Sequence, residues 1–150
     1  MPLSEERRRG ENRMKIVLDK NAQMPTKAHK ADAGYDLYAA HSKYIMARGS
    51  AVIDTGVHLN IPEGFYGFVT GRSGLNFKDS IICPQGTIDA GYTGSIKVKL
   101  YNLQQESRMI MKGDRIAQII FMRCHSPEFE VVDALDETDR GEGGFGSSGK

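Results

Sequence analysis

Short runs in which apolar and polar residues alternate one for one constrain this chain more than any other feature. Val57, Leu59 and Ile61 alternate with His58 and Asn60 until Pro62 stops the run. Ile96, Val98 and Leu100 alternate with Lys97, Lys99 and Tyr101, and Phe129 and Val131 with Glu128 and Glu130. A period of two puts one face on a core and the other in water, the pattern of a half-buried strand. Residues 15–18, 65–70, 81–82 and 116–121 are further β-rich runs, separated at short intervals by Gly, Pro, Asp and Asn. No window of ten residues sustains a 3.6-residue period, and residues 75–78 are the best candidate for a helical turn. The expectation is an all-β domain: a sandwich, a jelly roll or a small barrel.

At 150 residues, 39% hydrophobic and 26% charged, the chain has the size and composition of one packed domain. Its longest apolar runs are four residues, so none spans a bilayer and no membrane association is expected. Cys83 and Cys124 are its two cysteines, far apart and in no CxxC pair, which suits a reducing intracellular compartment, cytoplasm or nucleus. The N-terminal stretch also lacks the apolar run of a secretory signal. Net charge is +1, but residues 126–150 carry −5 and the remaining 125 residues +6. A mildly basic body suits a small anionic ligand and is too weakly charged to demand a nucleic acid.

Three zones are expected. Residues 1–13, with Arg7, Arg8 and Arg9, are polar throughout and read as an extension. Residues 14–132 form the β domain. Residues 133–150 form a flexible arm, in which Arg140, Phe145, Ser147 and Ser148 are set among five glycines. Glycine lets successive amides converge on a phosphate, serine adds a hydroxyl donor, Arg supplies charge and Phe a stacking face.

Four internal clusters combine glycine with a functional polar group. Gly34 precedes Asp36; Gly71 is followed by Arg72, Ser73 and Gly74; Gly86, Thr87, Ile88 and Asp89 lead through Ala90 and Gly91 to Tyr92; and Gly113, Asp114 and Arg115 lead to Gln118. The second is a plausible anion cradle, and the third looks like a hairpin with Ala90 and Gly91 near its tip. Taken singly, each also reads as structure: Asp36 or Asp114 as a turn cap, Tyr92 as core, Arg72 as an ion-pair partner. His29, His41, His58 and His125 have no metal-ligand spacing. A nucleophile elbow, a Walker loop and a dinucleotide fingerprint are all missing from the sequence.

Taken together and in order, these clusters and the glycine-rich arm resemble the five motifs of the trimeric deoxyuridine triphosphatases (dUTPases), over about residues 14–150. The resemblance implies a distorted jelly-roll barrel, a homotrimer with exchanged C-terminal arms, and Mg²⁺-assisted hydrolysis of dUTP to dUMP and pyrophosphate. Such an activity limits uracil in DNA and supplies dUMP for thymidylate synthesis.

By the same resemblance, Asp89 orients and deprotonates the water that attacks the α-phosphorus. A carboxylate is a weak base at neutral pH, so placing the water in line carries much of the effect. Asp36 holds waters on Mg²⁺, which the triphosphate mainly binds. Arg72, Ser73 and Gly74 bind phosphate oxygens, and Gln118 reaches the α-phosphate. The backbone of Gly86, Thr87, Ile88 and Asp89 reads uracil, and Tyr92 packs under the deoxyribose. Arg140, Gly146, Ser147 and Ser148 hold the β- and γ-phosphates, while Phe145 closes over the base.

Some positions depart from the family pattern. Gly91 stands where many members carry an acid, Gly71 replaces a frequent Pro, Ser148 a frequent Thr, and Cys83 an Asn near the base. Lys97 occupies the place of a substrate-side lysine found in some members. A dCTP deaminase on the same fold needs a Glu in the hairpin, and residues 86–95 contain none.

Overall fold

A computed structural model of the chain describes residues 13–147 and 149; most of the Arg-rich extension and Ser148 lie outside them. Within that span the strands are β1 (Lys15–Leu18), β2 (Tyr35–Tyr38), β3 (Lys43–Ile45), β4 (Ser50–Asp54), β5 (Val57–Asn60) and β6 (Phe65–Thr70). After one short helix, α1 (Ser73–Asp79), come β7 (Ile81–Ile82), β8 (Gly86–Ile88), β9 (Lys97–Asn102), β10 (Arg108–Ile110) and β11 (Arg115–Arg123). All pairings are antiparallel and form four small sheets: β1-β5, β10-β3, β2-β11-β6-β8 and β4-β9-β7. The all-β expectation holds.

Alternation decides which side chains fill the interior. Val57, Leu59 and Ile61 are at most 6% exposed, and Ile96, Val98 and Leu100 at most 1%. Leu37, Ile45, Ile53, Ile81, Ile110, Ile116 and Ile119 join them from the other sheets. Each such side chain contributes about 1.5–3 kcal/mol by leaving water. Buried Asn102 satisfies its amide fully: one Nδ2–H donates to the Glu106 carbonyl, the other is shared between the carbonyls of Ile45 and Met46, and Oδ1 accepts from the Gln104 amide. That hub ties the β9–β10 turn to β3.

The helix is longer than residues 75–78. It buries no side chain and ends where Ser80 takes a left-handed conformation (φ 49°) and returns its N–H to the Leu75 carbonyl. Only its Leu75 packs partly against the core, and the helix serves as a connector between β6 and β7.

Two expectations are corrected. Residues 128–131 form no strand, and Phe129 and Val131 are 96% and 98% exposed. Alternation becomes a strand only beside a partner edge, and among the described residues none pairs with 128–131. The Gly86–Gly94 segment is not a paired hairpin either. Its outgoing arm β8 pairs with β6, while the returning chain enters β9, which pairs with β4 and β7. The turn therefore bridges two sheets.

Gly67 lies where β6 crosses the core, and a Cβ there would fall 2.7 Å from Ile119 Cδ1 and 3.2 Å from Ile61 Cδ1. Both neighbours are buried, so neither has room to retreat. Gly67→Ala is expected to destabilise the fold by about 1–3 kcal/mol, measurable as a lowered denaturation midpoint with unchanged m-value.

Candidate active site

β11 assembles the site because it lies between β2 and β6. Its register places Gln118 opposite both Asp36 and Thr70. A β-bulge between Arg115 and Ala117 breaks the strict alternation, so that Ile116 and Ala117 both turn inward at 0% exposure. Arg115 and Gln118, three positions apart, would otherwise face opposite sides; the bulge brings both to one cleft. That cleft, about 300 Å³, is lined by Gly34, Asp36, Arg72, Ser73, Arg115 and Gln118, with Ala28, Asp32 and Ala33 on its rim. Three clusters distant in sequence thus meet in one place.

Charge pairing organises the cleft. Arg72 Nε donates to Asp36 Oδ1 at 2.9 Å, and Arg115 Nε stands 3.8 Å from Oδ2. Because Arg72 uses Nε here, its terminal nitrogens keep their donors for an oxyanion. The Asp36 side chain is only 16% exposed, and two guanidiniums compensate its charge. Gln118 Nε2 donates to the Gly71 carbonyl at 3.0 Å, which leaves its Oε1 beside Gly34. A Cβ on Gly34 would overlap that oxygen, so only glycine fits while Gln118 keeps this pose. Ser73 and Gly74 begin α1 and are exposed, with open space where a Gly74 Cβ would be.

Arg72 also walls a second cleft, of about 270 Å³, with Thr70, Gly71, Asn76, Ile82, Cys83, Pro84 and Gln85. Burial pushes the Cys83 thiol up to about 11, and its Sγ lies 3.4 Å from the Pro84 carbonyl.

The remaining expected site residues lie elsewhere in the chain. Asp89 opens a tight turn in which the Tyr92 N–H returns to its carbonyl at 3.2 Å and Gly91 takes φ +85°. Positive φ at the third turn position is the type II requirement. Tyr92 folds back over Gly94 and donates its hydroxyl to the Ser95 carbonyl at 3.0 Å. Asp89 and Thr87 are exposed, and Ile88 packs partly against the core. Lys97 sits opposite Asp54, lining a different cleft with His41 and Lys43. In the arm, Arg140 Nε donates to the Gly143 carbonyl at 2.7 Å and the Phe145 ring is fully exposed. Ser147 and Gly146 lie in a local turn closed by the bond from the Ser147 N–H to the Gly144 carbonyl.

One charged side chain of the cleft was not singled out by the sequence. Arg115 stands in the fourth cluster, but only the bulge shows that it shares a face with Gln118.

A model of the dUTPase family matches residues 20–149. A deoxyuridine 5'-triphosphate nucleotidohydrolase of Yarrowia lipolytica is 45% identical over 134 residues, covering 88% of this chain and 85% of the relative. The chain belongs to the dUTPase family. The mitochondrial enzyme of Homo sapiens with the same name is 46% identical, over 89% of this chain and 53% of its own length. Among solved structures, a mutant dUTPase of Staphylococcus bacteriophage 80alpha with dUpNHpp superposes with a TM-score of 0.88 at 34% identity, covering 93% of this chain and 99% of that one. A mutant dUTPase of S. aureus phage phi11, described with a structural Mg(II) ion, gives a TM-score of 0.79 at 30% identity, over 83% and 99% of the two chains. The fold is thus the distorted jelly-roll barrel of the dUTPases. No helix among the described residues is long and apolar enough to cross a membrane.

Exposed Cys124 and protonated, buried Cys83 should differ sharply in reactivity. At pH 8 the folded chain is expected to take one equivalent of iodoacetamide, at Cys124, and a second only in denaturant, as read by peptide mass spectrometry.

Proposed function

We propose that the chain hydrolyses dUTP to dUMP and pyrophosphate, in sites that three copies build together. The observation that carries this reading is the cleft in which Asp36, Arg72, Ser73 and Gln118 converge in a chain of the dUTPase family. Arg72, Ser73 and the Gly74 backbone take phosphate oxygens there, and Gln118 reaches the α-phosphate. Arg115 adds a second guanidinium next to Asp36.

Mg²⁺ suits this donor set. Among the described residues no three His, Cys, Asp or Glu side chains converge on a metal position. Magnesium keeps several waters and favours one or two carboxylates plus substrate phosphates, so Asp36 would hold it through water beside the triphosphate. When bound, the ion neutralises triphosphate charge and stabilises the departing pyrophosphate.

Asp89 orients a water toward the α-phosphorus and accepts its proton. The new O–P bond forms as the bridging α–β P–O bond breaks, and pyrophosphate leaves with that electron pair. Backbone groups of Gly86, Thr87, Ile88 and Asp89 pair with uracil, and Tyr92 excludes a ribose 2′-hydroxyl. Thymine is excluded by its methyl, and cytosine would leave buried groups unpaired at about 1–3 kcal/mol each.

Strand geometry supports a shared site. The pairing of β8 with β6 runs Gly86 against Val69 and Ile88 against Gly67, so Asp89 continues toward Tyr66. Arg72 lies beyond the other end of β6. Six residues separate the two levels, about 20 Å at the rise of a strand. That span supports a site in which the Asp89 turn and Arg72 come from different copies. A second copy would supply the Asp89 turn and a third the arm, with Arg140, Phe145, Gly146, Ser147 and Ser148. Lys97 would approach the substrate side from the second copy. Exposed Phe129, Val131 and Leu135 support arm exchange, since a neighbouring copy would cover them. The β domain of residues 14–132 and the arm of residues 133–150 are then separate working parts.

Incubation with each deoxynucleoside triphosphate and Mg²⁺, following pyrophosphate, tests the reading. Turnover of dUTP far above dTTP and dCTP is expected; equal turnover of dTTP, or ammonia from dCTP, defeats it. Asp89→Asn should bind dUpNHpp normally and lose about 10²–10⁴-fold in kcat. Truncation before Arg140 should leave the melting temperature and the oligomer unchanged and cut kcat/KM by at least about tenfold.

A further inference from the structure

The turn that carries Asp89 is held from behind by residues outside the five motifs. β4 ends at Asp54, and the chain continues through Thr55 and Gly56 into β5 at Val57, running alongside residues 93–97. Gly56 has φ +65°, and a Cβ there would fall 2.9 Å from the Ala22 side chain. This junction grips the returning leg of the Asp89 turn. Thr55 donates both Oγ1–H (2.6 Å) and N–H (3.1 Å) to the Ile96 carbonyl, and the Ile96 N–H donates to the Val57 carbonyl at 2.9 Å. The Ser95 hydroxyl donates to the Asp54 carboxylate, and Tyr92 donates in turn to Ser95.

His58, on β5, makes the outermost contact. Its Nδ1 lies 2.8 Å from the Thr93 carbonyl oxygen and its Nε2 3.2 Å from Asp19 Oδ1. Both partners are acceptors. A neutral imidazole has one N–H and would turn a lone pair against one of them; only the imidazolium donates to both.

We infer that His58 is a positioning residue for the hydrolysis proposed above: its protonated ring ties the Thr93 carbonyl to Asp19 and so fixes the Asp89 turn. The inference rests on the reading of Asp89 as the group that orients the water. Thr93 follows Asp89 by four residues and leaves the same turn, so slack at Thr93 reaches the carboxylate directly. In-line placement is steeply sensitive to such slack.

The charged surroundings agree with this geometry. Asp19, from the loop after β1, and Asp54, at the end of β4, both favour the cation; Lys97 and His41 act on Asp54. The Thr93 carbonyl bond, then the Asp19 bond, raise the His58 pKa above 6.5 against opposing burial. A raised pKa means that both bonds are complete below 6.5, and that one is lost as pH rises through the folded-state value.

The test compares the full-length chain with His58→Gln, which cannot titrate, and His58→Lys, whose ammonium donates to both acceptors throughout neutral pH. kcat and KM for dUTP are measured with Mg²⁺ from pH 5.5 to 9, alongside a ¹⁵N titration of the His58 ring. At pH 6 the wild type should exceed His58→Gln in kcat by about three- to tenfold, with KM within about twofold. That ratio should decline toward one across the same midpoint as the ring titration, above pH 6.5, and His58→Lys should hold the acid-side ratio at higher pH. A ratio flat with pH, or a ring titrating at or below 6.5, overturns the inference. A wild type inert toward dUTP at every pH defeats the functional reading instead. In that case the amide shifts of Ala90 and Gly91, tracking or ignoring the His58 midpoint, still decide whether the ring governs the turn.

Discussion

Everything in this domain depends on β11 being hydrogen-bonded along both edges. As the strand between β2 and β6, it fixes where Asp36 and Thr70 stand relative to Gln118, and hence where Arg72 emerges. A central strand has no freedom to slip, because a one-residue shift would turn Ile119 out of the core and Gln118 into it. The bulge at its start is the one local irregularity, and it delivers Arg115 to the same cleft. Rigidity of this kind suits the binding of a polyphosphate, since donors held in place lose little entropy when they engage oxygen atoms.

The same sheet bears on the proposal that copies share each site. β8, at the edge opposite β2, carries the Asp89 turn away from the phosphate end of β6. Arg72 and the proposed water-orienting Asp89 therefore follow opposite ends of β6, six residues of strand apart. Charge distribution fits assembly as well. The body is positive and the last 25 residues negative, so an arm lying against another copy's body meets the opposite sign.

Much of the fold was legible because alternation is a local signal with a global meaning. Val57, Leu59 and Ile61, like Ile96, Val98 and Leu100, are buried as their spacing requires. Phe129 and Val131 show the limit: the pattern states a wish for a partner edge but not whether the chain contains one. The Gly86–Gly94 segment shows another, since turn chemistry at Gly91 was readable while the pairing of β8 and β9 to different neighbours was not. In the cleft, Asp36, Arg72, Ser73 and Gln118 were nameable from their motifs. Arg115 was not, because its face depends on a bulge. His58 looked like an ordinary outward residue on an alternating strand, and only the structure shows that its two ring nitrogens both face acceptors.

What the sequence determined by itself is the inventory: an all-β chain, the five glycine-rich clusters, and the residue types able to grip phosphates and orient a water. These are local properties, carried by side-chain chemistry and backbone permission at neighbouring positions. Tertiary structure alone decided which clusters share a cleft, which face Arg115 takes, and that Asp89 lies at the far end of β6 from Arg72. Those outcomes follow from strand register and sheet order, which are set by hydrogen bonds between residues tens of positions apart and leave no mark on either stretch alone.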